Sequence, residues 1–203
     1  MALAPLYGIS RLRFNVDGTG VRTLVCFRGC PLNCRYCLNY GSRDITDDCK
    51  VISTDELIEE LSVDSLYFQA TNGGVTFGGG EPLLYADFIR EFINKANNNW
   101  NYWIETSLNV PYENIELIKD RIDKFIIDIK SINNSIYRSY TDMDNGVVIY
   151  NLKRLINDVG TDRIIVRVPY IEGYTTRSNQ QDSANYIMNL GIDNIDMFDY
   201  KLR

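Results

Sequence analysis

From residue 50 onward, stretches with helical apolar spacing alternate with short, nearly continuous apolar runs. No other feature restricts the fold as much, because the two periods belong to different elements. Ser53 with Glu56 forms a capping-box pattern that opens a helix carrying Leu57, Ile58, Leu61 and Phe68. Asn72-Gly73-Gly74 stops it, and residues 75–77 (VTF) read as a buried strand. A second helix presents Leu84, Phe88, Phe92, Ile93 and Ala96, then breaks at the asparagines 97–99. Strands follow at 102–106 (YWIET), 125–130 (FIIDIK), 163–168 (RIIVRV) and 194–198 (NIDMF). Between them lie helical patterns at 112–120, at Val148 to Val159 ended by Gly160, and at 178–190. Upstream, 22–29 (RTLVCFRG) is a good first strand, so six strands are joined by five helices.

Strands alternating with helices imply βαβ units and a parallel sheet buried on both faces. The expected fold is α/β, a partial (β/α)6 barrel open on one side, since a closed eight-fold barrel usually takes about 250 residues. A doubly wound open sheet is the alternative, because chain order does not fix strand order. The 203 residues are expected to form one domain, with 1–21 leading into the first strand and 22–203 forming the partial barrel. At 45% hydrophobic and 24% charged the chain is neither disordered nor fibrous. No apolar run reaches the ~20 residues of a membrane span, and the N-terminus lacks a signal-peptide core, so a cytoplasmic address is expected. A net charge of −6 is a poor fit to a nucleic-acid binder, and neither nucleic acid nor membrane is expected as a partner. Histidine is absent, which excludes every His base and His metal ligand.

Cys30, Cys34 and Cys37 lie within eight residues, in a loop after the first strand. Such a loop can aim three soft thiolates at one inorganic centre, zinc or iron–sulfur among them. A structural zinc site requires a fourth donor, and Cys26 or Cys49 could supply it. That reading makes the chain a non-catalytic four-cysteine module. With three ligands only, a cluster keeps one metal open to a substrate or cofactor. Gly78-Gly79-Gly80-Glu81 follows the second strand, either a tight turn or a place where backbone approaches a ligand and Glu81 meets an ammonium group. Glu105-Thr106, then Asp128 and Lys130, end the next two strands, and Arg167 lies in the fifth. Charges inside apolar strands are costly unless paired or placed at a mouth. Glu105 and Asp128 are therefore ion-pair partners, small-cation ligands or ligand contacts, and Arg167 is a structural partner or an anion contact.

The CxxxCxxC spacing and the GGE element resemble the radical S-adenosylmethionine (SAM) superfamily. Asp17-Gly18-Thr19-Gly20-Val21-Arg22 resembles the DGPGIR signature of its glycyl-radical-enzyme activases, and the run 68–82 is similar to their segment before the GGE element. The resemblance implies one [4Fe-4S] cluster on Cys30, Cys34 and Cys37. SAM would be held by Gly78, Gly79, Gly80, Glu81, Glu105, Thr106, Asp128, Lys130, Arg167 and Lys201. Asp17 and Arg22 would face the reacting glycine loop. The implied reaction is reductive SAM cleavage to a 5′-deoxyadenosyl radical, which takes hydrogen from a glycine of a partner glycyl radical enzyme. The electron donor would be a flavodoxin or ferredoxin, and the chain itself is expected to be a monomer. A radical SAM enzyme acting on a small molecule or another peptide is the second reading.

Overall fold

The computed structural model describes residues 2–46, 49–96 and 99–200. Their centre is an eight-stranded sheet of β1 (Leu3–Phe14), β2 (Val21–Phe27), β3 (Lys50–Ser53), β4 (Gly74–Gly79), β5 (Asn101–Thr106), β6 (Lys124–Asp128), β7 (Ile164–Tyr170) and β8 (Ile195–Asp199). The strands lie in the order β3-β1-β2-β4-β5-β6-β7-β8. From β2 to β8 every neighbouring pair is parallel, whereas β1 runs antiparallel to both β2 and β3.

The six expected strands are β2 and β4 to β8, and they sit side by side in chain order. A doubly wound sheet would reverse direction part-way, so that alternative is corrected to a sheet wound one way. Among the described residues β3 and β8 are not paired with each other, and the barrel is partial.

Strand alternation divides the molecule into two faces. Phe27, Phe77 and Tyr102 point outward, where Phe77 meets Phe92 edge-on at 5.7 Å and Phe27 meets Phe88 at 5.8 Å. That face is covered by α1 (Thr54–Ser62), α2 (Ser65–Thr71), α3 (Ala86–Lys95), α4 (Tyr112–Glu116), α5 (Asn134–Thr141), α6 (Gly146–Val159) and α7 (Arg177–Asn189). The inward face carries Arg22, Cys26, Thr76, Trp103, Glu105, Asp128 and Arg167, and with them most of the polar chemistry.

Several elements differ from the sequence expectation. β1 was expected only as a lead-in, because Pro5, Gly8 and alternating polar residues hide it, and its register shifts twice against β2. The helix over 53–68 is two helices, broken at Asp64. That carboxylate is buried and accepts from Arg11 and from the Thr23 hydroxyl at 2.9 Å. The helix from residue 84 begins as a tight 3-10 turn, Pro82–Tyr85, before α3. The helix expected over 112–120 is shorter, with Lys119–Arg121 as a separate turn. α5 has no apolar stripe because it buries two tyrosines and a threonine. Of the expected break at 97–99, residues 97 and 98 lie outside the described ones. Among the described residues no helix is long and apolar enough to cross a membrane.

Candidate functional site

The cysteine loop is fastened on two sides. On one, the amides of Gly80 and Glu81 donate to the carbonyls of Phe27 (2.9 Å) and Gly29 (2.7 Å). This contact leaves no space for a side chain, since a Cβ on Gly80 would stand 2.2 Å from the Gly29 oxygen. Gly79 has φ +92°, and its Cβ would meet Cys26 at 2.7 Å. On the other side, the amides of Asn33 and Arg35 donate to Thr141 (2.9 Å) and Tyr140 (3.1 Å) at the end of α5.

So held, Cys30, Cys34 and Cys37 share one wall of a cavity of about 380 Å³ at the C-terminal ends of the strands. Burial pushes the Cys30 thiol up to about 12. Burial raises Cys34 as well, with Lys130 opposing. Both sulfurs would therefore release protons on taking a cation. Neither Cys26 nor Cys49 lines this cavity. Among the described residues no three His, Cys, Asp or Glu converge closely enough to chelate a single ion. Three soft donors around a space wider than one ion fit a multi-metal cluster, and a closed four-cysteine site is not built here.

Gly79, Gly80, Glu81, Glu105, Thr106, Asp128, Lys130 and Arg167 line the same cavity. Glu81 is buried and accepts four bonds: the Thr106 hydroxyl (2.7 Å) and Leu83 amide (3.2 Å) on Oε1, the Ser107 amide (2.9 Å) and hydroxyl (2.7 Å) on Oε2. Those donors account for its roughly four lone-pair sites. Burial raises its pKa, while the Ser107 and Thr106 bonds oppose the rise. Burial likewise raises Glu105, against the pull of Arg167, whose Nη1 lies 2.9 Å from its Oε1. Burial alone would lower Lys130, yet Asp128, 3.4 Å away, helps to hold it above the usual lysine range. Arg167 further approaches Asp196 at 3.9 Å.

Other expected residues fall elsewhere. Gly78 does not line the cavity and packs behind it, its Cβ position 3.2 Å from Leu24 and 3.4 Å from Glu105. Asp17 and Arg22 do not join the group. Arg22 is fully buried at the N-terminal end of β2, and donates to the Thr76 hydroxyl (2.7 Å) and to the carbonyls of Val75 (2.7 Å) and Asn101 (2.9 Å). Its guanidinium lies over Trp103 at 4.7 Å. Asp17 is buried against Arg13. Gly18, with φ +133°, has Trp103 2.5 Å from its Cβ position. The 17–22 turn thus packs inside the half-barrel, Arg22 towards the N-terminal ends of the strands, while the Val16 carbonyl beside Asp17 meets the cavity-lining Arg167 at 3.5 Å. Lys201 lies outside the described residues.

Asn39, Ser107, Asp196, Phe198 and Tyr200 line the cavity without having been singled out as site residues. Asn39 donates to the Gly79 carbonyl at 3.1 Å. Its signal was adjacency to the cysteines, and that of Ser107 was its place directly after a strand end. The other three depend on β8 closing beside β7 and had no local signal.

A family model described as the radical SAM superfamily matches residues 24–178. The chain is 29% identical to the pyruvate formate-lyase 2-activating enzyme of Escherichia coli K12 over 231 residues, covering 98% of this chain and 77% of that protein. It is 28% identical to the pyruvate formate-lyase-activating enzyme of Staphylococcus aureus USA300 over 191 residues, 91% of this chain and 75% of that protein. Among solved structures, SuiB of Streptococcus suis bound to S-adenosylmethionine superposes with a TM-score of 0.65 at 14% identity, over 88% of this chain and 42% of that one.

Proposed function

The chain belongs to the radical SAM superfamily, whose members use a [4Fe-4S] cluster and SAM, and on that footing we propose that it is an activase forming a glycyl radical in a partner enzyme. The observation that carries the enzyme reading is the three-thiol wall facing Gly79, Gly80 and Glu81 across one cavity. The activase reading is supported by relatives of that kind aligning over 98% and 91% of the chain.

When bound, the two cofactors supply one-electron reductive cleavage of a sulfonium carbon–sulfur bond, yielding a 5′-deoxyadenosyl radical. Cys30, Cys34 and Cys37 would hold the cluster as thiolates, and their protons leave on loading. Glu81 supplies negative charge for the SAM ammonium. Its amide donors are fixed, but the Thr106 and Ser107 hydroxyls can rotate away and cede a lone pair to an incoming N–H. The acids lining the cavity (Glu81, Glu105, Asp128, Asp196) outnumber Lys130 and Arg167, which suits a ligand with two positive centres and one negative. Lys130 and Arg167 are the cations available to its carboxylate. Partial closure leaves a side open to a macromolecular glycine loop, and flavodoxin or ferredoxin would supply the electron.

The test is anaerobic reconstitution with iron, sulfide, SAM and dithionite. We expect 5′-deoxyadenosine, then a glycyl radical resonance once a pyruvate formate-lyase-type partner is added. Absence of 5′-deoxyadenosine from a chain holding four irons would overturn the enzyme reading. Nucleoside without a glycyl radical, but with consumption of a small molecule or an unrelated peptide, would replace the activase reading with the second one.

A further inference from the structure

The segment after β5, Ser107 to Val110, holds a backbone conformation that its sequence does not favour. Leu108 has φ +58°, in the left-handed region where a Cβ crowds the following carbonyl and glycine or asparagine is usual. Outliers of this kind persist only where the surroundings fix them, and they gather at functional sites. Two features fix this one. The Leu108 side chain is fully buried. Asn151, itself 1% exposed on α6, donates from its side-chain amide nitrogen to the carbonyls of Leu108 and Val110, each at 2.8 Å.

The turn so held aims two hydroxyls. The Leu108 amide donates to Thr106 Oγ1 at 2.9 Å, and the Asn109 amide donates to Ser107 Oγ at 3.3 Å. Each oxygen is thereby fixed from one side and donates on the other to Glu81, as does the Ser107 amide. Three of the four bonds that orient Glu81 thus come from residues 106 and 107, whose place depends on the residue that follows them. Asn151 does not line the cavity.

We propose that Asn151 is a positioning residue for the SAM ammonium group: it locks the left-handed Leu108, which keeps Thr106 and Ser107 on Glu81 and so holds that carboxylate where the ammonium docks. This rests on the reading that Glu81 receives the ammonium. A ligand without that group gains nothing from the arrangement. The cysteines sit on another loop, fastened by backbone bonds in which Asn151 has no part.

The experiment measures equilibrium binding of SAM, and of its analogue with hydrogen in place of the ammonium group, to the cluster-loaded protein. Asn151→Leu removes both donated bonds at similar volume. Its iron and sulfide should match wild type. Its SAM dissociation constant should rise roughly tenfold, as when a hydrogen bond to a charged group is lost. Its affinity for the des-amino analogue should not change. Asn151→Ser keeps one donor, should show a smaller loss of the same kind, and stands in if Asn151→Leu does not fold. Equal weakening of both ligands would overturn the inference, because it would mark a general loosening of the cavity wall. So would unchanged SAM binding, or failure of both variants to fold, which would make Asn151 a residue of the fold alone. Wild type that binds the two ligands equally would instead overturn the assignment of the ammonium to Glu81.

Discussion

Inside β2, Arg22 carries a full charge with no exposed surface. Burial lowers its pKa to about 10, which leaves it protonated at neutral pH, and its donors feed two backbone carbonyls and Thr76. Arg22→Ala would open a cavity beside Trp103 and strand those acceptors, so unfolding in urea should show a loss of about 2–5 kcal/mol. Iron per folded chain should stay at the wild-type level. Loss of iron at undiminished stability would return Arg22 to the site. The cysteines divide in the same manner. Cys34→Ala should lose the brown absorbance and SAM cleavage, whereas Cys49→Ala, off the cavity wall, should retain both. Loss of iron in the Cys49 variant would favour four-cysteine ligation.

Among the elements, α1 is held by signals that local sequence makes plain. Ser53 Oγ accepts from the Glu56 amide at 3.2 Å, and Glu56 accepts from the Ser53 amide at 2.8 Å, a reciprocal cap. Ser53→Ala should cost about 1 kcal/mol in chemical denaturation, and a cost near zero would mean that water replaces the cap. α3 is joined to α1 and to the chain start by contacts no local pattern announces. Glu91 accepts from Lys95 and Thr54, both at 2.8 Å, and from the Ala2 amide at 2.9 Å. The bond from Lys95, then those from Thr54 and Ala2, depress its carboxyl to about 2. Its contribution is therefore complete above the unfolded value of ~4.3 and lost as pH falls through 2. Melting curves of wild type and Glu91→Gln should differ at pH 7 and converge towards pH 2, and a gap that persists in acid would refute the assignment. The same contrast explains what was legible. The strands β2 and β4 to β8 are apolar runs that announce themselves, but α5 buries aromatic hydroxyls in place of an aliphatic stripe, and β1 alternates around Pro5 and Gly8.

For the whole molecule, function depends on what the winding brings together. The cysteine triplet and the GGE element were readable because each is contiguous. Ser107 meets them after two parallel pairings, and Asp196, Phe198 and Tyr200 only after five. Asp17 and Arg22 lie off the cavity wall, a depth in the half-barrel that chain position alone does not give. If SAM enters this cavity, cluster-loaded protein should melt higher as SAM rises, by about 2.7 kcal/mol at a hundredfold excess over its dissociation constant. Protein without iron should respond far less. Equal shifts in both forms would place SAM away from the cysteines. The two-sided fastening of the cysteine loop, to β4 through Gly80 and Glu81 and to α5 through Asn33 and Arg35, bears on how metal is acquired. Those bonds are made by the protein's own backbone, so the segment is expected to order before metal arrives, unlike a zinc finger, where metal itself drives the chain into shape. On the proposed reading iron and sulfide would arrive at a finished cradle, and a free peptide bearing the same three cysteines should capture them far more weakly.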